Sequence, residues 1–211
     1  FFLYFKKMIK ELQKKEKKIA VIGLGYVGLP LAIEFGRLYS VIGFDIKKNV
    51  IEKLKQGIDP AGEVLSDDFV GKDVVYTDDI NSLKDAHFYI VAVPTPIDEH
   101  KKPDLKPLIS ACETVGKVIK KGDYVIFEST VYPGCTEDDC IPVIEEISGL
   151  KFIDDFKVGY SPERINPGDK VNTLVTITKI TSGCDDESSE NIAKIYESII
   201  TGGIFRASSI K

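Results

Sequence analysis

The sequence has no apolar run that approaches the length of a membrane span, which needs about 20 consecutive apolar residues. It also lacks a strong charge of one sign, since charged residues make up 29% of the chain and the net charge is -5. A mixed, slightly acidic surface offers no basic face for phosphate backbones. We therefore expect a soluble cytoplasmic protein that binds neither nucleic acid nor a membrane.

Residues that bind metals or form disulfides are few and poorly spaced. The four cysteines form no CxxC pair, and neither histidine stands at metal-ligand spacing to any of them. We expect reduced thiols in or near a core, and no metal site. The residues concerned are Cys112, Cys135, Cys140, Cys184, His87 and His100.

The N-terminal stretch "FFLYFKKMIKELQKKEKK" places a short apolar cluster before its basic residues, which is the reverse of a secretory signal. Met8 is the only methionine, which suggests that Phe1–Lys7 lie upstream of the natural start. We therefore treat residues 1–17 as an N-terminal extension. Residues 18–211 are long enough to bury the core of a single domain.

Strand-like apolar runs alternate with helical stretches along this domain. Nearly continuous apolar strands are typical of a parallel sheet buried on both faces. We predict an α/β fold with a doubly wound, mostly parallel sheet of the Rossmann-like type. The predicted strands lie within 18–23, 39–45, 73–77, 87–93, 123–130, 156–162, 176–183 and 202–207, and the predicted helices within 26–38, 47–56, 105–120, 136–148 and 186–200.

The stretch "IAVIGLGYVGLPLAIEF" joins the first strand to the first of these helices through a GxGxxG pattern. Gly23 allows a tight turn, Gly25 lets the backbone approach a pyrophosphate, and Gly28 lets the helix pack close to the strand. Asp45 ends the second strand about 20 residues later, where an acid that binds the adenosine ribose is expected. Because Asp45 would repel a 2′-phosphate, the pattern favours NAD over NADP.

Three later loops carry polar side chains just after predicted strands. "VAVPTPID" holds Thr95 between two prolines, and "FESTVYPG" places Ser129 and Thr130 at the end of a strand. "VGYSPERINPGDK" contains Glu163, a candidate general base, and Arg164, a candidate partner for a phosphate or carboxylate. In a parallel sheet these strand ends meet at one edge, where ligands bind.

The motifs "GLGYVGLPLA", "VPTPID", "ESTVYPG" and "YSPERINPG", in this order, resemble the nucleotide-sugar 6-dehydrogenases of the UDP-glucose/GDP-mannose dehydrogenase family. The resemblance covers about 18–211. It is greatest to the branch that oxidises UDP-N-acetylhexosamines to uronic acids for capsular polysaccharides. It implies a two-step, four-electron oxidation of the sugar C6 alcohol to a carboxylate, with two NAD consumed.

The resemblance also implies roles for individual residues. Thr130 would help to hold a catalytic water, and Glu163 would act as a base through that water. The loop 163–167 would line the sugar, with Glu163, Arg164 and Asn166 as its substrate-binding residues. NAD would be bound by Gly23, Leu24, Gly25, Tyr26, Val27, Gly28, Asp45, Pro94, Thr95, Ser129 and Thr130.

Two positions depart from the family pattern. Members that oxidise UDP-glucose or GDP-mannose often have a second glutamate where this chain has Pro167, which favours an acetamido sugar here. The family often has an arginine near the cofactor at the position of Val50. We expect Lys47 or Lys48 to replace it.

The last residues, "ASSIK", resemble the start of the family's central helix, which brings a catalytic lysine and asparagine. A second domain of the family supplies the nucleophilic cysteine. We therefore expect this chain to be the NAD-binding half of an enzyme, able to bind NAD but not to turn over, and the full enzyme to be a homodimer or larger. A stand-alone NAD-binding module, a UDP-glucose 6-dehydrogenase and a β-hydroxyacid or acyl-CoA dehydrogenase remain alternatives, and the N-acetylhexosamine is open.

Overall fold

The computed structural model describes residues 2–97, 103–164 and 173–211, with side chains from Met8 onward. Eight strands form a single sheet, and each lies within one of the predicted runs except the fourth in chain order, which begins one residue earlier, at Ala86. In chain order they are β1 (Lys18–Ile22), β2 (Val41–Phe44), β3 (Val74–Thr77), β4 (Ala86–Val91), β5 (Tyr124–Phe127), β6 (Lys157–Tyr160), β7 (Lys179–Gly183) and β8 (Ile204–Arg206).

The strand order across the sheet is β3-β2-β1-β4-β5-β6-β7-β8. The six strands β3, β2, β1, β4, β5 and β6, in their order across the sheet, all pair in parallel with their neighbours in this set. β7 then runs antiparallel to β6, and β8 pairs in parallel with β7. The predicted doubly wound, mostly parallel sheet is thus confirmed. Its order reverses between β1 and β4, which is where a ligand crevice opens beyond the carboxyl ends of the strands.

Helices connect the strands as predicted, although most are shorter than the sequence pattern indicated. The helix predicted over 136–148 begins with a π-helical turn, Thr136–Cys140, before its regular part. Among the described residues, no helix is both long and apolar enough to cross a membrane. The α-helices are α1 (Phe2–Gln13), α2 (Gly28–Phe35), α3 (Lys48–Leu54), α4 (Lys106–Gly116), α5 (Ile141–Ser148) and α6 (Asp186–Glu197).

The N-terminal extension forms helix α1, which the sequence analysis did not predict. Met8 and Leu12 lie one turn apart on α1, and their exposed fractions are 6% and 0%. They belong to the same apolar cluster as Ile19 of β1 and Tyr196 of α6. The extension therefore contributes to the core. The predicted boundary between an extension, residues 1–17, and a domain, residues 18–211, stays a prediction.

Two apolar layers cover the faces of the sheet. One contains α2, α6 and the buried end of α1, and the other contains α4 and α5. The central strands are buried on both faces, because successive side chains such as Ile19 and Ala20 enter opposite layers. This burial fixes the register, so the carboxyl ends of β1, β4 and β5 form one rigid edge.

The long polar connection after α3 contains a 3₁₀ turn, Ser66–Phe69. Before this turn, the Asp59 carboxylate accepts hydrogen bonds from the amides of Ala61, Glu63 and Val64 at 2.7–3.1 Å. These bonds organise the segment and hold it where Ala61 lines a cavity at the carboxyl edge of the sheet.

Candidate active site

The glycine turn after β1 is shaped by two close backbone approaches. Gly23 has a φ of +90°, a conformation that side chains with a Cβ rarely adopt. A Cβ on Gly28 would lie 1.8 Å from the carbonyl oxygen of Gly23, so the start of α2 presses directly against the turn. By contrast, nothing stands within 4 Å of a Cβ on Gly25. The turn therefore leaves open space at Gly25, beside the N-terminus of a helix.

Asp45 lies directly beyond β2 and holds the glycine turn. Its Oδ2 accepts a hydrogen bond from the Leu24 amide at 3.0 Å, and its Oδ1 accepts one from the Lys47 amide at 2.9 Å. A carboxylate has about four acceptor positions, so both oxygens can still accept bonds from ribose hydroxyls. Asp45 therefore fixes the turn and presents negative charge at the same time.

We expect Asp45→Asn to weaken NAD binding by about tenfold, or about 1.4 kcal/mol. The amide loses one acceptor and the negative charge, so discrimination against NADP should also decrease. Asp79→Asn is a matched control, because Asp79 also accepts a hydrogen bond from a nearby backbone amide, that of Asn81. Asp79 lines neither of the two cavities at the carboxyl edge of the sheet. Calorimetric titration with NAD and with NADP measures both effects, and equal affinities in the two variants would contradict the assigned role.

Two cavities flank the glycine turn at the carboxyl edge of the sheet. The smaller has a volume of about 250 Å³ and the larger about 550 Å³. Gly23, Asp45 and Lys47 line the smaller one, and Pro94 lines both. Of the predicted site residues, those that line the larger cavity are Gly25, Tyr26, Val27, Pro94, Thr95, Ser129, Thr130 and Glu163.

The remaining predicted residues of the turn do not line either cavity. Leu24 is 2% exposed and belongs to the core, and Gly28 is buried beneath the turn. Leu24 contributes through its backbone amide, which donates a hydrogen bond to Asp45, and Gly28 contributes through its close packing against Gly23. Lys47 lines the smaller cavity beside Asp45, while Val50 packs against the core. That Lys47 or Lys48 replaces the arginine stays a prediction.

The loops after β4 and β5 are joined by side-chain hydrogen bonds. The Thr95 hydroxyl donates to the carbonyl oxygen of Thr130, and the Ser129 hydroxyl donates to that of Val93, both at 2.6 Å. The prediction that the Pro-Thr-Pro segment holds Thr95 at the site is thus supported by a direct contact. The two loops form a continuous wall of the larger cavity.

Glu163 lies beyond β6, and only 6% of its side chain is exposed. Its Oε1 accepts a hydrogen bond from the amide of the next residue, Arg164, at 2.6 Å. Arg164 is exposed and does not line either cavity. Asn166 and Pro167 lie outside the described residues, so their predicted contacts with the sugar stay predictions.

Two charged residues that the sequence analysis missed lie behind Glu163. Glu128 ends the apolar run of β5 and lines the larger cavity, and Lys179 is the first residue of β7. The Lys179 ammonium lies 2.5 Å from Glu128 Oε2 and 3.2 Å from Glu163 Oε2. The sequence did contain a signal for Glu128 and Lys179, because each is a single charge in or next to an apolar strand. Such a charge is buried only when it is paired with an opposite charge.

The four cysteines are free thiols, and three of them are completely buried. Burial raises the pKa of Cys135 to about 12. The pKa of Cys140 is raised as well, by its hydrogen bond with Cys112 and by burial. Thiols with such pKa values are protonated near neutral pH, and therefore Cys135 and Cys140 are poor nucleophiles.

Comparison with known proteins identifies this arrangement. A family model described as the NAD binding domain of the UDP-glucose/GDP-mannose dehydrogenase family matches residues 17–200. The chain belongs to this family. The glycine turn, Asp45 and the two cavities therefore lie within the region that matches the NAD binding domain of this family.

Relatives within the family agree with this assignment. The chain is 54% identical over 198 residues to a UDP-N-acetyl-D-glucosamine 6-dehydrogenase of Pseudomonas aeruginosa, with 93% of this chain and 47% of the relative covered. It is 52% identical over 197 residues to one of Salmonella typhi, with 93% and 46% covered. The chain thus spans about half the length of these relatives.

Solved structures of the family share the fold. A UDP-D-ManNAc dehydrogenase from Pyrococcus horikoshii matches with a TM-score of 0.82 and 36% identity, over 92% of this chain and 47% of that one. A ternary complex of a GDP-mannose dehydrogenase from Pseudomonas aeruginosa matches with a TM-score of 0.81 and 26% identity, over 91% and 46%. In both comparisons the matched region is about half of the larger protein.

The described residues fit a dinucleotide. The open space at Gly25 and the helix N-terminus beside it suit a pyrophosphate, whose negative charge the helix dipole stabilises. Asp45 stands in the smaller cavity, where it can accept from an adenosine ribose. The larger cavity then remains for the nicotinamide half and for a substrate, beside Thr130 and Glu163.

Proposed function

We propose that this chain is the NAD-binding half of an enzyme that oxidises the C6 alcohol of a UDP-N-acetylhexosamine to the uronic acid. One observation carries the proposal: the Glu163 carboxylate lines the same cavity as the glycine turn. A base beside a nicotinamide site can accept a proton from an alcohol or a water as hydride leaves the carbon.

The overall reaction converts R–CH₂OH, two NAD⁺ and one water into R–COO⁻, two NADH and three protons. NAD held by the glycine turn and Asp45 would supply the hydride acceptor for both oxidations of C6. Thr130 helps to hold the water, and Glu163 accepts a proton through it. Both residues line the larger cavity, and the Thr95 hydroxyl fixes the backbone of Thr130.

The named relatives support the substrate class. Those that are 52–54% identical are called UDP-N-acetyl-D-glucosamine 6-dehydrogenases, and one that is 39% identical is called a UDP-N-acetyl-D-mannosamine dehydrogenase. We propose UDP-N-acetylglucosamine first and UDP-N-acetylgalactosamine second. A relative that is 55% identical is named Protein CapL, which supports a role in capsular polysaccharide synthesis.

We further propose that the enzyme works in the cytoplasm, since unpaired thiols suit a reducing compartment. Residues 18–211 form the NAD-binding domain in this proposal. A second domain provides the uridine contacts and the nucleophilic cysteine, and the enzyme assembles as a homodimer or larger. The raised pKa values of Cys135 and Cys140 support a nucleophile outside this chain.

The first experiment measures NAD binding by this chain, and then NADH formation by the longest protein encoded by its reading frame. Four substrates are compared: UDP-N-acetylglucosamine, UDP-N-acetylgalactosamine, UDP-N-acetylmannosamine and UDP-glucose. We expect the chain to bind NAD. We expect the longer protein to form two NADH for each UDP-N-acetylhexosamine consumed.

Three results would contradict parts of the proposal. A chain that is folded but does not bind NAD would contradict the assignment of the cofactor site. A preference for UDP-glucose would contradict the assigned sugar class. Turnover by the 211-residue chain alone would show that the proposed second domain is dispensable.

A further inference from the structure

Three charged side chains from three different elements meet at the base of the larger cavity. Glu128 lies just beyond β5, Glu163 follows β6, and Lys179 begins β7. Their side chains are 0%, 6% and 1% exposed, respectively. Lys179 reaches this edge because β7 runs antiparallel to β6 and its Ser182 pairs with Tyr160, so that the start of β7 extends past the carboxyl end of β6.

The Lys179 ammonium is the centre of this cluster. It lies 2.5 Å from Glu128 Oε2 and 3.2 Å from Glu163 Oε2. It also lies 3.4 Å from the carbonyl oxygen of Pro162 and 3.5 Å from that of Ser161, in the segment that leads to Glu163. The ammonium therefore contacts both the Glu163 carboxylate and the backbone that carries it.

Glu128 is in turn held from the other side. The phenol of Tyr196, on α6, donates to Glu128 Oε1 at 2.5 Å, and both residues are almost completely buried. The Glu128 carboxylate thus has one oxygen on Tyr196 and the other on Lys179. A buried charge with such partners has few alternative positions, so the ammonium is fixed relative to the sheet.

We propose that Lys179, anchored by Glu128, is a positioning residue that holds the Glu163 carboxylate in a fixed place at the wall of the larger cavity. This inference rests on the proposed function, in which Glu163 is the base. The ammonium lies between the two buried carboxylates and contacts both. Without it, the two carboxylates would face and repel each other, so Glu163 would lose the contact that holds it in place.

The charges within the cluster are consistent with this role. Burial alone would lower the pKa of Lys179, but the charges of Glu128 and Glu163 outweigh it and raise that pKa. Burial raises the pKa of Glu128, and the charge of Lys179 opposes this effect. Among the described residues, the phenols of Tyr160 and Tyr196 also lie near the cluster, and burial raises the pKa of both. Lys179 is thus a cation in direct contact with both carboxylates.

The test compares Lys179→Met with Lys157→Met in the 211-residue chain. Lys157 is a matched control, because it begins β6 and its ammonium lies 2.6 Å from Asp185 in a part-buried ion pair. The carboxyl carbon of Glu163 is observed by carbon-13 NMR at neutral pH, with its signal assigned from Glu163→Gln. We expect Lys179→Met to shift this signal or to split it into several, because the carboxylate loses the contact that fixes it, and Lys157→Met to leave it unchanged.

Two further variants keep the test valid if Lys179→Met fails to fold. Glu128→Gln keeps the size of the side chain but removes the charge that anchors the ammonium, so the Glu163 signal should shift. Lys179→Arg keeps the positive charge and should hold the signal near that of the wild type. A Glu163 signal that Lys179→Met or Glu128→Gln leaves in place would overturn the inference.

Turnover by the longer protein separates this inference from the proposed function. In Lys179→Met, kcat should fall by about 10- to 100-fold while NAD affinity stays the same, and Lys179→Arg should restore most of the lost rate. A wild-type protein that binds NAD but oxidises no UDP sugar would contradict the proposed function, and the Glu163 NMR signals would still decide the role of Lys179. Normal turnover of Lys179→Met with an unchanged Glu163 signal would contradict this inference alone.

Discussion

Replacing Gly28 with alanine is expected to destabilise the fold and to abolish measurable NAD binding. The added Cβ would lie 1.8 Å from the carbonyl oxygen of Gly23 and 3.2 Å from the Cβ of Ala92. The closest obstacle is backbone, which cannot rotate away, so α2 must move from β1. We expect a loss of about 3 kcal/mol in the free energy of unfolding. Urea unfolding and calorimetric titration with NAD measure the two effects.

Gly25→Ala is the matched comparison within the same turn. A Cβ at this position meets nothing within 4 Å, so the variant should unfold like the wild type. Its methyl group would occupy the space through which a pyrophosphate approaches the backbone, and NAD affinity should fall by about tenfold. A stable Gly28→Ala variant with normal affinity, or a Gly25→Ala variant with unchanged affinity, would show that the turn does not hold the cofactor as described.

The second large effect is expected for Glu163→Gln in the longer protein that carries this domain. The amide keeps the size of the side chain but cannot accept the proton, so kcat should fall by about 100- to 10,000-fold. NAD affinity should stay nearly unchanged, because the cofactor contacts proposed for the glycine turn, for Asp45 and for the loops after β4 and β5 do not involve the Glu163 carboxylate. Steady-state rates of NADH formation and calorimetric NAD titration separate the two quantities.

Glu146→Gln serves as the control, because Glu146 is an exposed carboxylate on α5. This variant should have the kcat of the wild type. If Glu163→Gln retained full turnover, another group would have to serve as the base. If it lost NAD binding together with turnover, Glu163 would have a structural role at the site instead.

Much of the candidate site could be predicted because it depends on local signals. Glycines at three fixed positions are required where a strand turns into a helix, and Asp45 follows the next strand at the expected spacing. Thr95, Thr130 and Glu163 each follow a different strand. Parallel strands place these ends at one edge, so the sheet prediction was sufficient to bring the residues together.

The lengths of the elements were less predictable. The helix predicted over 26–38 spans only Gly28–Phe35, and Val27, with right-handed helical dihedrals, is its N-terminal flanking residue. Helix α1 was missed because its stability comes from packing Met8 and Leu12 against the core. Neither effect is visible in the local pattern of apolar and polar residues.

The sequence by itself determined the class of fold, the NAD turn and the family, because each depends on short segments whose residue types have few other uses. Only the tertiary structure decided that Glu128 and Lys179 lie behind Glu163. Their pairing depends on the antiparallel direction of β7, which joins residues 51 positions apart in the chain. A buried charge is stable only beside its partner, and that partner is chosen by the packing of the whole sheet.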